Sequence, residues 1–260
     1  LAWTRILSVS LWYHFGFVVL STAMLGFGAA AVAWTWLPKR IELVRAFGLA
    51  LPLAMLAGHL GFHAVPFEPF SLAVEPLQLL WGALALLFCA LPFVAMGGLV
   101  VGLMSLAPAR VHTFYLADLV AAGLGALLAV ALSRWLGAPA AVLLAVALAA
   151  VAAAILWEGT RAWPRWGALA LALLSAGMGF VAPERLPLRI SRDKALDGTE
   201  VSELLGRDGV LLESVWNDLS RLDLIELRDG RGRPHRFVLF DGGTALTRIA
   251  RAASPQAGAQ

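Results

Sequence analysis

The sequence predicts an all-α transmembrane helix bundle followed by a small antiparallel β-rich domain, and three observations carry that prediction. Hydrophobic residues make up 60% of the 260 and charged residues only 14%, with a mean hydropathy of +0.79; soluble domains run at about 45–50% and about 25%. Apolar segments long enough to cross a bilayer, about 20 residues each, recur as far as Val181. From Pro183 onward the chain turns polar, and short strand-like runs bounded by turn residues replace the long apolar ones. These features exclude a water-soluble globule, a disordered chain and a disulfide scaffold. The one cysteine, Cys89, lies inside an apolar run and reads as a small buried hydrophobe.

Taken in order, Leu1–Val9 reads as the tail of an earlier helix. Full spans are expected at Leu11–Trp36, Ala46–Ala64, Leu77–Leu106, Thr113–Arg134, Pro139–Trp157 and Arg165–Val181. The third is long enough to need a tilt or kink, and Pro92 at its middle either bends it or divides it in two. Tryptophans at positions 12, 34, 36, 135, 157, 163 and 166 fall at the expected helix ends, where an amphipathic ring suits the headgroup zone. Gly98 and Gly102 form a small-xxx-small pair on the third span, and Gly26 and Gly28 are expected to serve packing in the same way on the first.

Charge does not orient the bundle. Lys39, Arg40, Arg45, Arg110, Arg161 and Arg165 lie at one membrane face, and Arg5, Arg134, Arg185, Arg189, Arg192 and Lys194 at the other. With six against six, the positive-inside rule favours neither orientation. Residues 1–182 carry 8 Lys/Arg against 5 Asp/Glu and residues 183–260 carry 12 against 12, so the net charge of +3 sits in the helical part as loop charges. No basic stripe accompanies it, which removes nucleic acid as a partner; the lipid bilayer is the expected one.

The division is accordingly 1–182, multi-pass helical, and 183–260, a tail of strands. Arg189–Arg207 reads as irregular. Gly209–Trp216, Leu222–Leu227 and His235–Phe240 read as strands, separated by turn sequences that include Asp229–Pro234 and followed by the turn Asp241-Gly242-Gly243. Ala252–Gln260 reads as a linker or frayed end. About 50 ordered residues make a marginal core, so the tail is expected to lean on another domain, a partner or the membrane.

Few residues point to chemistry. Asp118, five positions into the fourth expected span, is an ionisable group at membrane depth. Its functional reading is a substrate, proton or ion contact; its structural reading is a hydrogen bond or a cap near the interface. The rows Ala117/Ala121/Gly125/Ala129 and Asp118/Ala122/Ala126 predict that this face packs closely on another helix. His59 and His63, at i and i+4, share a helix face with Glu68 a few residues on. Without a third ligand at helical spacing the pair is not read as a metal site. His14 and Tyr13 read as headgroup contacts, and Glu68 and Glu75 as residues of a solvated loop. Asp241-Gly242-Gly243 lacks the spacing of a phosphate loop and reads as a turn.

Several stretches, in this order, resemble one arrangement. Trp3-Thr4-Arg5-Ile6-Leu7-Ser8, Tyr13-His14-Phe15, Met24-Leu25-Gly26-Phe27-Gly28 and Leu91-Pro92-Phe93 leading to Gly98 are similar to the membrane part of bacterial spermidine synthase-like proteins. So are Tyr115-Leu116-Ala117-Asp118-Leu119 with Gly123 and Gly125, and Leu136-Gly137-Ala138-Pro139. In the tail, Glu213–Asp223 with its Trp216-x-x-Leu219-Ser220-Arg221 link, and Phe240-Asp241-Gly242, resemble the sheet that opens the polyamine aminopropyltransferase domain of that family.

The resemblance implies a membrane-anchored parent that transfers an aminopropyl group from decarboxylated S-adenosylmethionine to an amine. It also implies an inner-membrane location with the tail in the cytoplasm. Asp118, Tyr115 and Asp241 become the candidate substrate-binding residues. The family's Rossmann-like half, with its nucleotide loop and catalytic aspartate, would lie beyond Gln260 or on a separate transferase, so no catalytic residue carries over and no cofactor belongs to this chain itself. One departure is Ala245, where soluble members carry Gln. The competing expectations are a polyamine or cation transporter in which Asp118 attracts the cargo, and an anchor that recruits a separate enzyme through an open sheet edge.

Overall fold

In lipid every backbone polar group has to be satisfied within its own segment, so apolar runs of membrane length become helices. The computed structural model describes residues 1–158, 162–191, 194–196, 199–200, 209–217, 220–228, 234–241 and 245–248. Its helices are α1 (Ala2–Ser10), α2 (Gly16–Trp36), α3 (Ile41–Ala64), α4 (Leu77–Leu106), α5 (Val111–Leu136), α6 (Ala138–Leu156) and α7 (Ala162–Val181). Strands follow as β1 (Ala195–Leu196), β2 (Thr199–Glu200), β3 (Gly209–Trp216), β4 (Arg221–Arg228), β5 (Pro234–Phe240) and β6 (Ala245–Arg248). Helices α2 to α7 are each long and apolar enough to span a bilayer. This is a multi-pass membrane protein, and its chain divides into two units, Leu1–Ser191 and Arg192–Gln260.

Within the first unit, α4 packs along α2 and α3, and α6 packs along α7 and α3. These contacts are close because glycines admit them. A Cβ on Gly58 of α3 would stand 2.7 Å from the Phe88 carbonyl oxygen of α4, and one on Gly26 of α2 would stand 2.7 Å from Phe93 Cβ. Gly28 has open space around it, so Gly26 alone of that pair serves the interface. Helix α4 runs through Pro92 without interruption, and α3 does the same through Pro52. Gly137, at φ 86°, makes the turn between α5 and α6.

Several boundaries differ from expectation. A one-turn 3-10 segment, Tyr13–Phe15, precedes α2, so the first span does not run unbroken from Leu11. Helix α3 starts at Ile41 rather than Ala46; the added turn buries Val44 completely and places Glu42 at the positive end of the helix dipole. Trp34 is not a headgroup anchor: it is 4% exposed and donates from Nε1 to the Gly98 carbonyl oxygen at 2.7 Å, joining α2 to α4. Trp36, Trp135, Trp163 and Trp166 are exposed at helix ends, as the interfacial rule expects.

The largest correction concerns α5. The expected close packing of its small-residue face does not occur. From Val111 to Val130 only Phe114 and Ala129 are partly covered, and a Cβ on Gly123 or Gly125 would meet nothing within 4 Å. What α5 does touch is chiefly α6, beside their shared turn.

The second unit contains two antiparallel sheets among the described residues. Strands β1 and β2 form a small ladder, Ala195 opposite Glu200 and Leu196 opposite Thr199, inside a stretch expected to be irregular. Strands β3, β4, β5 and β6 follow one another as neighbours in a four-stranded meander. Strand β6, only four residues long, has no counterpart among the strands expected from sequence. The pairing Ile225 to Phe237 and Asp223 to Leu239 puts Ile225, Leu227, Phe237 and Leu239 into one apolar cluster. A bulge interrupts β3 between Leu211 and Glu213. The tight turns read at Asp229–Pro234 and Asp241–Gly243 fall mostly, and the terminal segment Ala252–Gln260 wholly, outside the described residues.

Candidate functional site

Six spans place the segment 65–76, which joins α3 to α4, at the same bundle end as the segment that leaves α7. There the chain builds a buried polar cluster. Pro187–Ser191 crosses this end as a strap, and side chains of α3 and of the 65–76 segment hold it, together with a backbone carbonyl of α1. His59 Nε2 lies 2.9 Å from the Pro187 carbonyl oxygen. Because a carbonyl only accepts, His59 carries its proton on Nε2. The Arg189 backbone N–H donates to His63 Nδ1 at 3.1 Å, which leaves the proton of a neutral His63 on Nε2. The two imidazoles, 4.4 Å apart between centroids, thus grip alternate residues of the strap. Helical spacing of i and i+4 is what lets them do so.

Glu68 closes the cluster. One carboxylate oxygen accepts from the Arg189 guanidinium and the other from the Ser191 hydroxyl. The same guanidinium donates to the Val65 carbonyl oxygen, and the Ser191 N–H donates to the Ser10 carbonyl oxygen at 2.7 Å. Gln78 Oε1 accepts from the Glu68 N–H at 2.9 Å, while Gln78 Nε2 donates to Glu75 at 3.2 Å. Glu68 is only 8% exposed. It is therefore not a solvated loop residue; a paired guanidinium and a hydroxyl compensate for its burial. Glu75 is exposed, as the loop reading has it. Arg189, Ser191, Gln78 and Ser10 carry no site motif in the sequence. Span parity is the available signal, since it sends a buried-face histidine pair, a loop glutamate and a post-span arginine to one end.

Among the described residues, no group of three or more His, Cys, Asp and Glu converges as a metal site. Cys89 is fully buried in the apolar cluster with Leu7, Leu11, Val19 and Phe62. Asp118 and Tyr115 lie three residues apart on α5, both exposed. Asp118 therefore neither lines an interior cavity nor caps the helix, which starts seven residues earlier at Val111.

Asp241 belongs to the sheet unit and has a structural task there. It holds a left-handed φ of 46° one residue after β5, a conformation Asp tolerates better than most residues. Its Oδ1 accepts from the Arg221 N–H, and its own N–H donates to the Arg221 carbonyl oxygen, both at 2.8 Å. Its carbonyl oxygen accepts from Lys194 Nζ at 2.6 Å. Burial lowers Lys194 from its ordinary value to about 8, against the opposing pull of Asp241.

The Trp216–Arg221 link is likewise explained by turn chemistry. Asn217 Oδ1 accepts from the Ser220 N–H at 2.6 Å, the Asn217 N–H donates to Ser220 O at 2.9 Å, and the Arg221 guanidinium lies 5.8 Å from the Trp216 ring centre. Asp218 and Leu219 of that link lie outside the described residues. Asp223, facing the inner side of β4, is held by Arg221 Nε at 2.8 Å and by the Ser214 hydroxyl across the strands.

Comparison with models of protein families, with curated proteins and with solved structures found no match.

Proposed function

We propose that this chain is the membrane anchor and opening sheet of a spermidine synthase-like protein, held in the inner membrane with its tail in the cytoplasm. The observation that carries the reading is an order of parts: a multi-span bundle, then antiparallel strands in which Trp216-x-x-Leu219-Ser220-Arg221 joins β3 to β4 and β5 runs into Asp241. That order is the one the resembled family uses ahead of its catalytic half. Under this reading the Rossmann-like half, continuous with this chain or a separate partner, performs the transfer. An amine nitrogen attacks the aminopropyl carbon of decarboxylated S-adenosylmethionine, the carbon–sulfur bond breaks onto sulfur, and the amine gives up a proton. Methylthioadenosine leaves as the neutral thioether. Proximity supplies most of the acceleration in such a displacement.

The rival transport reading needs Asp118 on a path through the bundle. Its position on the outward surface of α5 favours the anchor. Asp118 and Tyr115 are then available to an amine or lipid at the membrane surface of α5, whereas Asp241 shapes the sheet rather than meeting substrate.

The test uses the protein purified from its own membrane, with its natural length and any tightly held partner. Incubation with decarboxylated S-adenosylmethionine and a panel of amines is expected to release methylthioadenosine. A preparation that neither binds the donor nor forms methylthioadenosine, yet carries a labelled amine into liposomes in an Asp118-dependent way, overturns the proposal in favour of transport.

A further inference from the structure

A small cavity lies where the end of α1, the end of α3 and the strap meet. Leu11, Phe62, Val65 and Phe67 wall it, and four polar residues, Ser10, His63, Arg189 and Ser191, line it. Ser10 is 1% exposed and His63 7%. Among the described residues, neither Ser10 Oγ nor His63 Nε2 has a hydrogen-bond partner. We infer that this cavity is a binding site for one water molecule, which accepts from His63 Nε2–H, bonds the Ser10 hydroxyl, and so fixes His63 in the tautomer that holds the strap.

The chemistry narrows the ligand to water. The Arg189 N–H occupies His63 Nδ1, so the imidazole presents a proton at Nε2, and a buried donor left unsatisfied costs about 1–3 kcal/mol. The cavity volume of about 10 Å³ is close to the least that one water needs, and two polar partners meet its minimum. A cation would face an N–H donor with the Arg189 guanidinium close by. An anion would find that guanidinium already engaged by Glu68 and the Val65 carbonyl. The opposite tautomer of His63 would set an N–H against the Arg189 N–H and leave a bare nitrogen toward the cavity. One ordered water thus couples α1, α3 and the strap through a single ring.

Two measurements on the full chain in lipid nanodiscs test this. With ¹⁵N-labelled histidine at neutral pH, His63 is expected to show a pyridine-type Nδ1, a pyrrole-type Nε2 and a cross-peak from Hε2 to a bound water. Ser10→Val, whose methyl groups occupy the cavity, is expected to lose that cross-peak. The second measurement is trypsin cleavage after Arg185 and Arg189. His63→Asn can offer an amide oxygen near the Nδ1 position and is expected to cleave within about twofold of the parent. His63→Gln, with its amide near the Nε2 position, is expected to cleave about tenfold faster, the scale of one lost buried hydrogen bond read through local opening. An Nδ1–H ring, an imidazolium, or an Hε2 without a water cross-peak in the parent protein overturns the inference, and so does a cross-peak that survives in Ser10→Val. Should both His63 variants fail to fold, the parent spectrum still decides.

Discussion

At the scale of single residues, two carboxylates that look alike in the sequence separate by environment. Glu68 and Glu75 sit in one connecting segment, but Glu68 is enclosed by Arg189 and Ser191 while Glu75 meets solvent and one amide. Breaking a fully buried ion pair from one side costs about 3–5 kcal/mol; the Arg189 side chain remains 29% exposed, which reduces that figure. Glu68→Gln is expected to destabilise the bundle by about 2–3 kcal/mol, and Glu75→Gln to change it by less than about 0.5 kcal/mol. Thermal unfolding of the two variants in the same detergent checks the contrast, and equal shifts would refute it. Glu68 is not legible in the sequence because its partners lie more than a hundred residues away, and periodicity reports only local faces. Lys194 carries a pH signature. Burial holds it at about 8 in the folded sheet, below the ordinary 10.5 of the unfolded chain. Between those values the unfolded chain binds a proton that the folded one has released, so this lysine makes stability rise with pH from about 8 to about 10.5. Below about 8 both states are protonated, and the folded state bears the whole desolvation cost. Melting followed in the β-sheet amide band is therefore expected to move upward between about pH 7.5 and about pH 9.5. In Lys194→Met that rise is expected to shrink.

At the scale of elements, hydrophobic length makes α2 to α7 legible, and α4 is readable to the residue because an apolar run broken only by Gln78 and Ser105 fills Leu77–Leu106. Short runs bounded by turn residues locate β3, β4 and β5, with period-two alternation visible along Leu222–Leu227. What stays hidden is which helix faces meet. Small residues at spacing four occur on α5 as well as at the α3–α4 contact, yet only the latter is closed. Gly58 abuts the Phe88 carbonyl oxygen, whereas Gly125 has open space. Small-xxx-small spacing permits close approach without specifying that a partner is present, so the pattern predicts contact correctly at Gly98 and Gly102 and incorrectly along Ala117/Ala121/Gly125. A methyl group separates the cases. Gly58→Ala must push backbone apart and is expected to cost about 1–3 kcal/mol. Gly125→Ala is expected to be neutral or to stabilise the helix by up to about 1 kcal/mol. Unfolding of both variants in mixed micelles provides the measurement, and a large loss at Gly125 would show that its face is covered in the protein as it exists.

At the scale of the whole molecule, the strap and the connecting segment can meet only if the number of spans between them is even. Glu68 precedes α4 and Arg189 follows α7, with four crossings between, and their ion pair closes a loop that any odd number would forbid. The same parity carries Lys39, between α2 and α3, to the opposite face. The tied charge count could not supply this, because Arg45 donates to the Leu156 carbonyl oxygen at 2.9 Å and Arg189 is spent on Glu68; neither is a free loop charge of the kind the positive-inside rule counts. Sidedness can be measured directly. Lys39, Val74 and Arg185 are all exposed, and Cys89, the one native thiol, is fully buried. In a Cys89→Ala background, single cysteines at 74 and 185 are expected to react with a membrane-impermeant maleimide from the same side of sealed vesicles. A cysteine at 39 is expected to react only from the other. If 39 and 74 label together, α3 does not cross the bilayer; if 74 and 185 label from opposite sides, one of α4 to α7 does not. Either pattern would break the six-span count and, with it, the geometric reason for the polar cluster at the end of the bundle.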